Sequence, residues 1–198
     1  MNREHVVYTR RYAPPPWRQG EILRYAGVRG EAPELAAPLE ECLREAEGVL
    51  DYRIAYCKMD ARAALDWLRT PSADLQKNLA GCDHVVLFAA TVGIGIDRLI
   101  ARYAPLSPTK ALLFQAIGAE RIESLCDTFQ GEIAAEMVQS GRKTRPRFSP
   151  GYGDFPLEAQ KDIFTLLDCP RRIGLTLNES LLMSPSKSVT AIIGARKL

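Results

Sequence analysis

With 198 residues, 46% of them hydrophobic and 25% charged, the chain has the profile of an ordinary globular protein able to bury one core, or one core and a small appendage. A formal net charge of +2 and an isoelectric point near 8.3 leave no strong electrostatic footprint, which argues against a general nucleic-acid or anionic-membrane role. Two histidines and five scattered cysteines without a CxxC pair supply a Cys/His zinc site or a Ser-His-Asp triad poorly, and the cysteines read as buried free thiols.

In chain order, residues 1–20 form an extended leading segment stopped by Pro14, Pro15 and Pro16, which continue neither a helix nor a central strand. Its charges flank a short apolar run, and the prolines stand where a signal peptide needs its hydrophobic region, so a cytoplasmic protein is expected. No apolar stretch approaches the roughly 20 residues of a spanning helix. "EILRYAGVRG" predicts a short helix closed by Gly27 or Gly30, and "ELAAPLEECLREAEGVL" carries Leu35, Leu39, Leu43 and Ala46 at helical spacing with Gly48 near its end. "YRIAYCKM" predicts a strand, short helices follow around Trp67 and Leu75, and "DHVVLFAA" is a run suited to a well-buried strand.

The longest periodic element runs from about Thr109 to Ser140, with Leu113, Ile117, Ile122, Leu125, Phe129, Ile133 and Met137 near the helical period. It predicts one long helix or a bent pair, with Gly118 and Gly131 as bend or close-packing points. Its other face carries Glu120, Glu123, Asp127, Glu132 and Glu136, expected to be solvated. Gly141 closes the helix, and Asp154 is placed to cap another that begins near Pro156. "RIGLTLN" and "SVTAIIGAR" then predict two strands. Without regular strand-helix alternation, the expected fold is a single α+β domain over residues 1–198, a mixed or antiparallel twisted sheet with helices.

Three stretches could carry chemistry. "FAATVGIGIDRLIARY" puts a Gly-x-Gly turn between a strand and a helix, which suits a phosphate, but Arg98 stands where a third glycine would fall, and a tight turn with close packing is the plainer explanation. In "RKTRPR", Arg142, Lys143, Arg145 and Arg147 read as helix-dipole complementation plus a solvated loop rather than a nucleic-acid patch. "RFSPGY" differs in kind: Pro146 and Pro150 fix φ on either side of Arg147, a forked donor suited to a carboxylate. Gly151 gives close approach or a positive φ, and Tyr152 offers a flat ring for a base or a cation. Such a loop is either an ordered surface connection or the seat of a small ligand with a carboxylate and an aromatic or cationic part.

The stretch "RFSPGYGDFPLEAQKDIFTLLD", followed by "LTLNESLLMSPSKSV", resembles the activation (reactivation) domain of cobalamin-dependent methionine synthase, in its short free-standing bacterial form. The carrying residues are Arg147, Gly151, Tyr152, Pro156 and Lys161, then Asn178, Glu179, Ser180, Met183, Pro185, Ser188 and Val189; the segments "ILRYAGVRG", "ATVGIGID" and "FQAIGAERIESLCD" extend the likeness upstream. The resemblance implies binding of S-adenosylmethionine, whose methyl group, with an electron from a flavodoxin-type donor, restores methylcobalamin from cob(II)alamin on a partner methionine synthase lacking its own activation domain. It implies no catalytic side chain, and ligand contacts from Arg147 (to the methionine carboxylate), Ser149, Pro150, Gly151 and Tyr152. The sequence departs from the family at Gly141 and Gln160, each standing for a glutamate, in an early ligand-contacting aspartate without a counterpart, and in a later tyrosine-bearing strand that is not found before Leu198. These departures support an alternative, a docking or chaperone partner of a corrinoid methyltransferase that does not bind S-adenosylmethionine.

Overall fold

A computed structural model describes residues 5–69 and 71–198. Strand β1 (Val7–Arg11) leads into helix α1 (Gln19–Tyr25), then a 3-10 turn (Pro33–Leu35) and α2 (Ala36–Glu47). β2 (Arg53–Asp60), α3 (Ala61–Trp67), α4 (Ala73–Asn78), β3 (His84–Thr91) and α5 (Gly95–Tyr103) precede the long α6 (Pro108–Gln139). Then come β4 (Arg142–Thr144), α7 (Ala159–Leu167), α8 (Cys169–Ile173), the two-residue strands β5 (Thr176–Leu177) and β6 (Met183–Ser184), and β7 (Ser188–Lys197). Five strands pair in the order β1-β2-β3-β7-β4, every neighbour antiparallel, so of the two sheet types expected the antiparallel one is found.

Antiparallel sheets commonly leave one face to water, but here helices cover both. Successive side chains alternate between faces: Ile54, Tyr56, Val86, Phe88, Ala90, Ala191 and Ile193 pack with α1, α2, α5 and α6, while Ala55, Cys57, Val85, Leu87, Ala89 and Ile192 pack with α3, α4, α7 and α8. This explains why "HVVLFAAT" reads as continuously apolar. Every residue from Val85 to Thr91 is buried, with Val86, Phe88 and Ala90 on one side and Val85, Leu87 and Ala89 on the other.

The helix expected over Thr109 to Ser140 is a single unbroken one. Ser107 caps its start, Oγ accepting from the Lys110 amide, and Gly141 follows its end at φ +70°. Gly118 is a close-packing point, since a Cβ there would lie 2.8 Å from Cγ of Lys187, whereas Gly131 faces open space. The acidic face of α6 is solvated only in part: Glu132 and Glu136 are exposed and Glu123 and Asp127 half-buried, but all five carboxylates have partners within the chain. Glu120 is buried and pairs with the equally buried Arg121, Glu132 accepts from Arg10 (2.8 Å) and Tyr12 (2.7 Å), and Glu136 accepts from Lys58. The N-terminal segment provides much of this cover: Arg121 donates to the carbonyls of Pro15 (2.5 Å) and Pro16 (2.9 Å), and its guanidinium lies 4.2 Å from the centre of the Trp17 ring. These partners lie far along the chain from α6, beyond the reach of a helical-period argument.

Two further expectations are corrected. Asp154 does not cap the helix after it, because α7 begins at Ala159 without a side-chain cap; its carboxylate instead accepts from Ser72 Oγ (2.5 Å) and the amides of Ala73 (2.8 Å) and Asp74 (3.0 Å), at the start of α4. In "RIGLTLN" only Thr176 and Leu177 are strand, because Arg172 and Ile173 finish α8, which Gly174 closes at φ +66°. The expected thiols are free: Cys42, Cys57, Cys126 and Cys169 are buried and Cys82 is half-buried. Among the described residues, no helix is long and apolar enough to cross a membrane.

Candidate functional site

The loop between β4 and α7 is held along β7 before it reaches the helix. The Arg145 amide donates to the Gly194 carbonyl (2.8 Å), and Phe148 and Ile192 exchange both backbone hydrogen bonds (2.9 Å each). Phe148 turns into the core beneath α7, stacking 6.1 Å from Phe155. Strand-like alternation then sends its neighbours Arg147 and Ser149 to the other side, toward α6.

There the loop closes a cavity of about 410 Å³, within the usual range of small-molecule sites. Arg147, Phe148, Ser149, Pro150 and Tyr152 line it from the loop, Glu123 from α6, Gln160 from α7, Met183 from β6, and Ser188, Val189 and Thr190 from β7. Of the five residues predicted to contact a ligand, four therefore line one cavity, Tyr152 at its exposed mouth. Gly151, the fifth, is not in the lining; it makes the turn, at φ +92°, with its amide on the Phe155 carbonyl (2.8 Å).

Electrostatics at the cavity centre on Arg147. Its Nη2 donates to Glu123 (2.6 Å), and its Nη1 to Asp127 (2.8 Å) and to Gln130 Oε1 (3.2 Å). Burial opposes the charge of Arg147, but the hydrogen bond to Asp127 and the nearby acidic groups more than offset this, raising its pKa further. Asp127 uses its second oxygen to accept from Arg18 (2.8 Å). Burial works against its ionisation too, yet the hydrogen bonds from Arg18 and Arg147 hold it below the ordinary carboxylate range. Two residues of the basic run before the loop are engaged internally, Arg142 bonding Asp83 (2.9 Å) and Arg145 the Ala80 carbonyl (3.2 Å), while Lys143 is exposed as expected.

Gln160, 5% exposed, is also in the lining, and its buried carboxamide oxygen has no hydrogen-bond partner. Leaving a buried polar group unpaired costs about 1–3 kcal/mol. Among the buried side-chain atoms of the described residues that lack a partner, it is the one belonging to a residue of this cavity. Sequence reasoning marked Gln160 only as a departure from a pattern and took Glu123 for solvated surface. A second cavity, of about 470 Å³, lies at the Gly93–Gly95 turn. Packing accounts for the glycine that opens α5, because a Cβ on Gly95 would fall 2.3 Å from the Val49 carbonyl oxygen.

A family model described as "Vitamin B12 dependent methionine synthase, activation domain" matches residues 73–197, a stretch that includes every residue of the first cavity. Among solved structures, the chain is similar to the crystal structure of the MetH reactivation domain bound to AdoHcy, with a TM-score of 0.64 and 14% identity, over 97% of this chain and 79% of that one. At that identity the likeness is one of fold. No curated protein matches the chain.

Proposed function

This chain belongs to the family of vitamin B12 dependent methionine synthase activation domains, and on that basis we propose that its first cavity binds S-adenosylmethionine and turns the methyl group toward a cobalamin-carrying methionine synthase module. The observation that carries this is the joining of Arg147 and Glu123, 2.6 Å apart, at the lining of the cavity. An amino-acid head group is a zwitterion, and an arginine-carboxylate pair is its complement. The ligand carboxylate exchanges onto the guanidinium fork while the ammonium takes Glu123, so neither protein charge is left bare. Ser149 and Pro150 form the wall and Tyr152 the mouth for the nucleoside part.

S-adenosylmethionine supplies a methyl group on a sulfonium, which departs as a neutral thioether once the methyl is taken. The protein therefore needs no general base and no nucleophile. Its side chains bind, orient and leave one side open to the partner. The exposed Tyr152 and Leu182, 67% and 64% accessible, give the region an apolar rim suited to that docking.

Calorimetric titration with S-adenosylmethionine tests the proposal. The wild type gives saturable binding, and Arg147→Lys, which keeps the charge but loses the fork, weakens it about tenfold or more. Absence of heat from the wild type overturns it. One observation favours the second reading, docking without a ligand: Arg147 is already matched by Glu123 and Asp127. Retrieval of a corrinoid protein by a chain that fails the titration supports that alternative.

A further inference from the structure

The second cavity shares no residue with the first, and it gathers positive charge that the proposed function does not use. Arg53 at the start of β2 lines it, together with Arg98 and Arg102, which lie one turn apart on α5. Asp51 is the single carboxylate of the lining, so three cations face one anion there. That anion is already shared, since Arg11 (3.3 Å) and Arg53 (3.1 Å) both approach its Oδ2. Arg102 has Glu45, from outside the lining, at 3.3 Å; among the described residues the Arg98 guanidinium pairs with no carboxylate. Cations of one sign gathered around a concavity repel one another and draw an anion in. α5 also opens here, at Gly95, with no side chain capping it, and its amide end adds to the same sign.

The other walls are apolar. Val49, Ile94 and Leu99 line the cavity, and the first two are 38% and 40% exposed. A bare inorganic anion would engage only the arginines, whereas a ligand joining a phosphate to a planar or apolar body uses both kinds of wall. Guanidinium groups suit such a molecule twice over, because they fork onto phosphate oxygens and lie flat on aromatic rings. At about 470 Å³ the cavity has the size of an ordinary small-molecule site.

We propose that this cavity is a second ligand site, taking a small organic phosphate of nucleotide size, with Arg98 and Arg102 on the phosphate and Val49 and Ile94 against the body. Arg98, the residue that interrupts the glycine pattern of "TVGIGID", is then the one that holds the anion. The site is independent of the reading of the first cavity and stands whether or not S-adenosylmethionine binds there.

Backbone amide shifts, followed by NMR at constant ionic strength as guanosine 5′-diphosphate, guanosine or inorganic phosphate is added, test the proposal. The diphosphate is expected to move the amides of residues 93–99 saturably and to leave those of Ser149, Gly151 and Tyr152 in place. Guanosine and inorganic phosphate should each bind about tenfold more weakly or worse, since each meets one kind of wall. Arg98→Gln and Arg102→Gln, at exposed positions, should each weaken the diphosphate about tenfold, while Arg147→Lys leaves it unchanged. Should Arg102→Gln disturb α2 through Glu45, as a lowered melting temperature would reveal, Arg98→Gln alone decides. The proposal is overturned if the diphosphate moves no amide of residues 93–99, if inorganic phosphate binds as tightly as the diphosphate, or if Arg98→Gln binds the diphosphate as the wild type does.

Discussion

Arg147 and Glu123 form a pair of unequal legibility. Arg147 announced itself through its spacing to Gly151 and Tyr152 and through the prolines that stiffen the loop around it. Glu123 could not be found that way, because on a helix an acidic residue outside the apolar stripe looks the same whether it faces water or a cavity wall. The pair is only partly buried, its side chains 22% and 42% exposed, so its own contribution to stability is within about 1 kcal/mol. Glu123→Gln is therefore expected to leave the thermal midpoint nearly unchanged while weakening binding of an amino-acid-bearing ligand severalfold and of 5′-methylthioadenosine not at all. Paired melting and titration curves check this, and a large loss of stability would make Glu123 structural. Ser72 is a residue of the opposite kind. It is buried, caps α4 through the Leu75 amide (2.9 Å) and bonds Asp154. Ser72→Ala should cost about 1 kcal/mol, a drop in melting temperature of about 2–4 °C for a chain of this size.

The elements that hold the site are a short edge strand and a loop that borrows the edge of β7. β4 is three residues long, and Arg142 at its start bonds Asp83, just before β3, so an ion pair bridges the two strands that flank β7. The hydrogen bond from Arg142, outweighing the opposing effect of burial, lowers the pKa of the Asp83 carboxyl from 3.8 to about 2. A group depressed in the folded state binds its proton more readily in the unfolded chain. Its stabilising contribution is thus complete above about pH 3.8 and is lost as the pH falls toward about 2. Asp83→Asn should flatten the decline of stability across that interval in urea titrations, and an unchanged slope would show that the pair contributes nothing. The strands and helices themselves were largely legible, since period-2 and period-3.6 patterns arise from local geometry. Asp154 was not: an aspartate just before a helix satisfies the local rule for a cap, yet the amides it bonds belong to α4, at the other end of a long chain separation.

Across the whole molecule, two helical layers enclose one sheet, and the N-terminal segment straps the outer face of α6. The fold class was readable from the irregular order of strands and helices, but the three-layer arrangement was not, because an antiparallel strand buried on both faces reads as merely apolar. The strap's anchor is the Glu120–Arg121 pair, 1% and 0% exposed. Removing one member of a buried pair strands the other, so Arg121→Met should cost about 3–5 kcal/mol, more than any surface change considered above. The double variant Glu120→Gln with Arg121→Met should regain part of that loss, and chemical denaturation of the wild type, the two single variants and the double variant measures the coupling.

Asp127 joins this strap to the cavity, since one of its oxygens receives Arg18 and the other Arg147. Two events that share a carboxylate are thermodynamically linked, and linkage runs both ways. A ligand that draws Arg147 toward its own carboxylate leaves Asp127 to Arg18, tightening the N-terminal strap against α6. Cleavage by a protease between residues 12 and 20 should then slow when ligand is present. Reciprocally, trimming the strap should loosen the grip on the ligand from a distance, without touching any atom of the cavity wall.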